Sequence, residues 1–179
     1  MTIHTRTNND PTPTVFRSAP DAFTKAEMPM ADDAPALLVM LRRTLADAVT
    51  LYLRANGFHW NVIGADFAQY HSLFGDIYSD VYDSVDRIAE NIRKMGGIAP
   101  FRLPELMALR SIVDAPVESA LPVAMAADLL NGNEAMLVTL NAAFVAANAA
   151  NEQGIANFLA ERIDQHQKWS WQLRSSLAG

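Results

Sequence analysis

The sequence predicts an all-α protein: a bundle of four long helices, with a short extra helix in the long crossover between the second and third. Three observations lead there. Apolar residues recur at intervals of three and four over long segments, and no segment shows the period-two alternation of a strand. The only clustered glycines are Gly96 and Gly97. Connections between the four periodic segments run short, long, short, so the first pair is antiparallel and a crossover precedes the second pair.

Residues 1–34 hold four of the nine prolines (Pro11, Pro13, Pro20, Pro29) and no sustained periodicity, and they read as a flexible N-terminal arm ahead of a bundle domain at 35–179. The first helix runs from about Pro35, which a first helical turn tolerates, to about Asn61. The second opens at Asp66, where Gln69 three residues later suggests a capping box. Its stripe is Phe67, Tyr70, Phe74, Ile77, Val81, Val85, Ile88 and Ile92. It closes at Gly96-Gly97, suited to a left-handed C-cap, with Pro100 beyond. The crossover from Gly97 to Leu121 is punctuated by Pro104, Pro116 and Pro122, and its part from Glu105 to Ser111 suits a short helix. The third helix is expected from Pro122 to Ala149 and the fourth from Glu152 to Leu177.

Composition narrows the function. A chain of 179 residues suffices for one domain with a proper core. It has no cysteine, no membrane-length apolar run and no apolar signal segment near Met1, so the cytoplasm is the default expectation. A net charge of −6 argues against an open basic surface for nucleic acid and suits a protein that handles cations.

The chemistry sits between Gly57 and Glu90. His59 and His71 lie near one end of the second helix; Asp86 and Glu90, at i and i+4, share a face near the other. His71 and Asp86 are fifteen residues apart, which on one helix is roughly 22 Å. Metal–ligand bonds are about 2 Å long, so these four side chains cannot hold one ion within one chain. If they form one site, a second copy runs its helix antiparallel to the first and brings its own acids to these imidazoles.

Other polar and aromatic residues read as structure. His166, among Asp164, Gln165, Gln167 and Lys168, suits the surface; Asp76, Asp80 and Asp83 suit a solvated face, with mineral nucleation as the sharper alternative. Tyr78 and Tyr82 precede Asp86 by eight and four residues and suit dimer packing, while Trp169 and Trp171 suit anchoring of the last helix.

The run Phe58-His59-Trp60-Asn61-Val62-x-Gly64, then Phe67, Tyr70-His71 and Asp86-x-x-x-Glu90, resembles the Dps family, the miniature-ferritin DNA-binding proteins from starved cells. The likeness extends from about Pro35 to Leu177 and includes Leu159-x-Glu161-Arg162 and Lys168-x2-Trp171-x-Leu173-Arg174. It implies the ferritin-like fold, a dodecameric hollow shell, and oxidation of Fe(II) to a stored Fe(III) mineral with hydrogen peroxide or dioxygen. It also implies a ferroxidase site with His59 and His71 from one subunit and Asp86 and Glu90 from its partner, and Trp60 as a trap for stray oxidant.

This sequence departs from the family pattern in three places. Gly75 stands where many members carry an aspartate four residues after the second histidine, and Asp76 is about 100° round the helix from it. The site is therefore expected to hold one iron firmly and a second weakly. Asn157 stands at an often acidic pore position, leaving Glu152 nearby. The arm has three basic residues against five acidic ones, so DNA binding is expected to be poor. The competing readings are a DNA-compacting protein and a structural shell with weak or absent ferroxidase activity.

Overall fold

The computed structural model describes residues 35–114 and 121–178. The arm at 1–34 and Pro116 of the crossover lie outside the described residues. Five helices are seen, with no strand among the described residues: α1 (Ala36–Asn61), α2 (Phe67–Lys94), α3 (Leu103–Leu109), α4 (Pro122–Ala149) and α5 (Gln153–Leu177). α1 packs on α2 and α4 on α5; α1 also meets α4, and the short α3 lies against α1. The four-helix bundle with a crossover helix is the predicted fold. None of these helices is long and apolar enough to cross a membrane.

Leu41, Leu51, Phe74, Ile77, Ile88, Leu129, Met136, Leu140 and Leu159 are wholly buried where the helices meet. Each such side chain contributes about 2 kcal/mol by leaving water. The C-terminus of α2 ends as expected: Gly96 takes φ +80°, and the Gly97 amide donates to the Ile92 carbonyl at 3.1 Å. That six-to-one bond marks a Schellman cap.

A buried carboxylate ties the crossover to the bundle. Asp47 of α1 is fully buried. Its Oδ1 accepts from the amides of Ser111 (2.6 Å) and Ile112 (3.1 Å), and its Oδ2 from Ser111 Oγ (2.6 Å) and Thr139 Oγ1 (2.7 Å). One side chain thus joins α1, the crossover and α4, with its lone pairs satisfied as a buried charge demands.

Several expectations are corrected. Asp66 makes no side-chain cap to α2; its backbone (φ −97°, ψ 22°) is outside the extended region that aims a capping oxygen at the first turn. The crossover helix is Leu103–Leu109, starting earlier than expected because Pro104 sits in its first turn. His166 is not a surface residue but has 0% exposure. Its sequence neighbours are polar, yet its face neighbours Leu159, Ser170 and Leu173 are buried, and helical spacing decides. Asp80 is not simply solvated: it accepts both guanidinium branches of Arg162 (2.9 and 2.6 Å) and the Trp169 indole (2.8 Å), whereas Asp76 and Asp83 are exposed. Trp169 is buried as an anchor, and Trp171 is exposed.

Candidate metal centre

The turn from Val62 to Asp66 is short, so the end of α1 and the start of α2 meet side by side. Gly64 (φ +117°) supplies a left-handed step there that other residues resist. His59 and His71 come together as a result. Their rings stack at 3.7 Å between centroids, 21° from parallel. Each Nδ1 bonds the other residue's main-chain carbonyl, His59 Nδ1 to His71 O at 2.7 Å and His71 Nδ1 to His59 O at 2.8 Å.

This reciprocal latch fixes the chemistry of both rings. A carbonyl oxygen only accepts, so each Nδ1 carries the proton and donates it. In the neutral rings each Nε2 then keeps its lone pair. Metal-binding histidines are commonly oriented by such a bond from the far nitrogen. Phe67 stacks on His71 at 4.9 Å and the Tyr78 ring meets His59 edge-on at 5.1 Å, so the pair is flanked by aromatic rings.

Gly75 lies directly behind this pair. A Cβ added there would sit 3.2 Å from His59 Nδ1 and 3.3 Å from its Cε1. Position 75 is therefore part of the site's wall, and in this chain it offers no ligand.

Asp86 and Glu90 are exposed near the other end of α2. The helix between is unbroken, so the separation of roughly 22 Å follows from the helical rise. Among the described residues, no three or more His, Asp or Glu side chains within one chain are grouped to hold a metal ion. Arg87 turns away towards α5: it pairs with Glu161 at 3.5 Å, and its guanidinium stands 4.5 Å from the Phe158 ring centroid. Trp60, beside His59 in sequence, is 69% exposed.

Sequence reasoning missed two features. The Tyr78 ring is in contact with His59 and with Tyr52 of α1, so it packs within the chain rather than only on the face expected for a dimer. Asp47 was also missed, although a charged residue spaced four before Leu51 and three after Thr44, on the buried stripe of α1, was a visible signal. A groove of about 650 Å³ lies elsewhere, between α1, α3 and the start of α4, with Leu53, Arg54, Leu106 and Met107 in its lining.

The chain is similar to known proteins over most of its length. The family model described as a ferritin-like domain matches residues 38–178. The DNA protection during starvation protein of Brevibacillus brevis is 29% identical over 140 residues, covering 78% of this chain and 93% of that protein. Among solved structures, antigen TpF1 from Treponema pallidum aligns with a TM-score of 0.77 at 25% identity, over 86% of this chain and 98% of that one. A Dps protein from Bacillus brevis aligns with a TM-score of 0.74 at 27% identity, over 79% and 94% of the two chains.

Proposed function

Because this chain belongs to the Dps family of ferritin-like proteins, we propose that two copies bind Fe(II) between them, oxidise it with hydrogen peroxide or dioxygen, and store Fe(III) mineral in a dodecameric shell. Each site takes His59 and His71 from one subunit and Asp86 and Glu90 from an antiparallel partner. The observation that carries this reading is the latch: two imidazoles with protons locked on Nδ1 and lone pairs left at Nε2.

Iron(II) accepts imidazole and carboxylate together. His59 and His71 hold the arriving ion, and the flanking rings of Phe67 and Tyr78 limit the directions from which water approaches. Asp86 and Glu90 favour the harder Fe(III) and pass it to the mineral. Two electrons from iron and two protons turn hydrogen peroxide into two waters, so no hydroxyl radical is released and oxidative damage is limited. The name of the Brevibacillus relative refers to DNA protection. With a net charge of −6, we assign this chain's share of such protection to iron and peroxide removal rather than to DNA compaction.

The test mixes two inactive proteins. One carries His59→Ala and His71→Ala; the other carries Asp86→Ala and Glu90→Ala. They are unfolded together, refolded and supplied with ferrous ion and peroxide while ferric absorbance is followed. Half of random pairs are mixed, and each mixed pair rebuilds one of its two sites, so about one quarter of wild-type activity returns. A mixture as inactive as its parents, beside an active wild type, overturns the shared site; a wild type that leaves ferrous ion unoxidised leaves a shell with weak or absent ferroxidase activity.

A further inference from the structure

We propose that the groove between α1, α3 and the start of α4 binds a free aliphatic monocarboxylate, with its chain on the apolar walls and its carboxylate on Arg110 and Arg54. The site stands apart from the iron chemistry and needs none of it. The groove holds about 650 Å³, within the range of pockets that enclose small ligands.

Its apolar lining is partly uncovered. Phe58, Leu106 and Met125 are buried, whereas Leu53, Leu103 and Met107 are 51%, 66% and 60% exposed. Large apolar side chains gathered round one concavity and left in water mark a binding surface. Gly57 leads the same way. It lies inside α1, where glycine weakens a helix, yet a Cβ there would meet nothing within 4 Å. Packing demands glycine elsewhere: a Cβ at Gly97 would fall 2.5 Å from Leu38 Cδ1, and one at Gly132 would fall 2.8 Å from Arg54 Nη1. At Gly57 the fold gains nothing from the missing side chain, whereas the groove it lines stays open.

The charged residues of the lining form one cluster. The Arg54 side chain is 8% exposed; its Nη2 donates to the Val113 carbonyl at 2.6 Å. Its guanidinium stands 3.3 Å from the Asp128 carboxylate and 3.6 Å from that of Asp114. Arg110 also pairs with Asp114, whose side chain is 63% exposed. Two guanidiniums therefore share one carboxylate that faces water. An exposed ion pair of this kind adds little to stability, so Asp114 can yield its place to another carboxylate. With Asp114 turned out, Arg54, Arg110 and Asp128 leave one net positive charge, which a single carboxylate neutralises. The planar guanidinium fork suits that head. A cationic head would be repelled, and a doubly charged phosphate would exceed the charge available.

The test is calorimetric titration of decanoate into the assembled full-length protein, with 1-decanol as the same chain without a charge. Saturation is expected at one decanoate per chain, about tenfold tighter than 1-decanol. From octanoate to decanoate each added methylene is expected to tighten binding about fourfold. Gly57→Leu fills the groove and is expected to abolish binding. Arg110→Ala is expected to weaken it about tenfold, and Asp114→Asn, which removes the competing carboxylate, to tighten it. Circular dichroism checks that each variant is folded; if Gly57→Leu is not, the opposite shifts of the other two decide. Decanoate that fails to saturate, or binds no tighter than 1-decanol, overturns the site. So does binding that Gly57→Leu leaves unchanged, that Arg110→Ala fails to weaken, or that Asp114→Asn fails to tighten.

Discussion

Acidification from about pH 6.5 to about pH 4.5 is expected to destabilise the folded chain by about 2 kcal/mol through one side chain, His166. The imidazole is wholly buried between α4 and α5. Asn133 Nδ2 donates to the His166 carbonyl (2.8 Å) and Ser170 Oγ (2.9 Å), which leaves its Oδ1 to accept from His166 Nδ1 at 2.6 Å. His166 Nε2 faces Arg162 Nη2 at 3.4 Å, so a second ring proton would meet a guanidinium. Burial first, and the Arg162 charge next, push the imidazole from 6.5 down to about 3, against the opposing pull of Asp80. A histidine depressed in the folded state favours the fold fully above 6.5, and this contribution is lost as pH falls from 6.5 towards about 3. At about pH 5 the unfolded ring is almost fully protonated and the folded ring almost not, so unfolding takes up about one proton.

The assay is urea unfolding at fixed protein concentration across that range, since any association of copies makes apparent stability depend on concentration. His166→Gln is the comparison. Its slope of stability against pH is expected to be shallower by about 1.4 kcal/mol per unit near pH 5. Asp128 is present in both proteins and its contribution cancels, while Asp80 also feels any charge on His166 but titrates below the range compared. Asp80 is held below 3.8: burial raises it, but the Arg162 and Trp169 hydrogen bonds and the Arg162 charge prevail. Asp128 is raised by burial. Equal slopes in the two proteins would refute the buried, neutral imidazole.

Asp47→Ala takes the shared acceptor from four donors, of which the Ile112 amide and the Thr139 hydroxyl belong to buried residues, and is expected to cost about 2 to 3 kcal/mol, read as a lower urea midpoint; loss of less than about 1 kcal/mol would show that the crossover is held by other contacts. Gly75→Asp places a carboxylate against His59, displaces that ring by a few tenths of an ångström, and is expected to raise firmly bound iron in a calorimetric titration. Unchanged stoichiometry would remove position 75 from the site. Plasmid DNA at moderate salt is expected to show no mobility shift, since the chain carries −6; a salt-sensitive shift would overturn the charge argument. Tyr70→Phe removes the bond to the Ser176 carbonyl (2.8 Å) that ties α2 to the end of α5, and is expected to cost about 1 kcal/mol in thermal or urea unfolding.

The helices were legible because their determinants are local. The stripe from Phe67 to Ile92 and the Gly96-Gly97 stop lie within one segment, and helical spacing needs no partner to be read. The separation of His71 from Asp86 was legible for the same reason, since helical rise converts sequence distance into length. Asp66 shows where this fails: the right residue type was present, but its backbone angles depend on how the turn from Val62 is pulled between two packed helices.

By itself the sequence determined four long helices, their connections, and two pairs of candidate ligands too far apart to meet within one chain. Only the tertiary structure decided that the two imidazoles grip each other's backbones, that Gly75 stands at their back, that Tyr78 leans on His59, and that His166 and Asp47 are interior. The reason is physical. Periodicity fixes which face of a helix a residue occupies, whereas hydrogen-bond direction, burial and ring contact depend on what a different helix brings against that face.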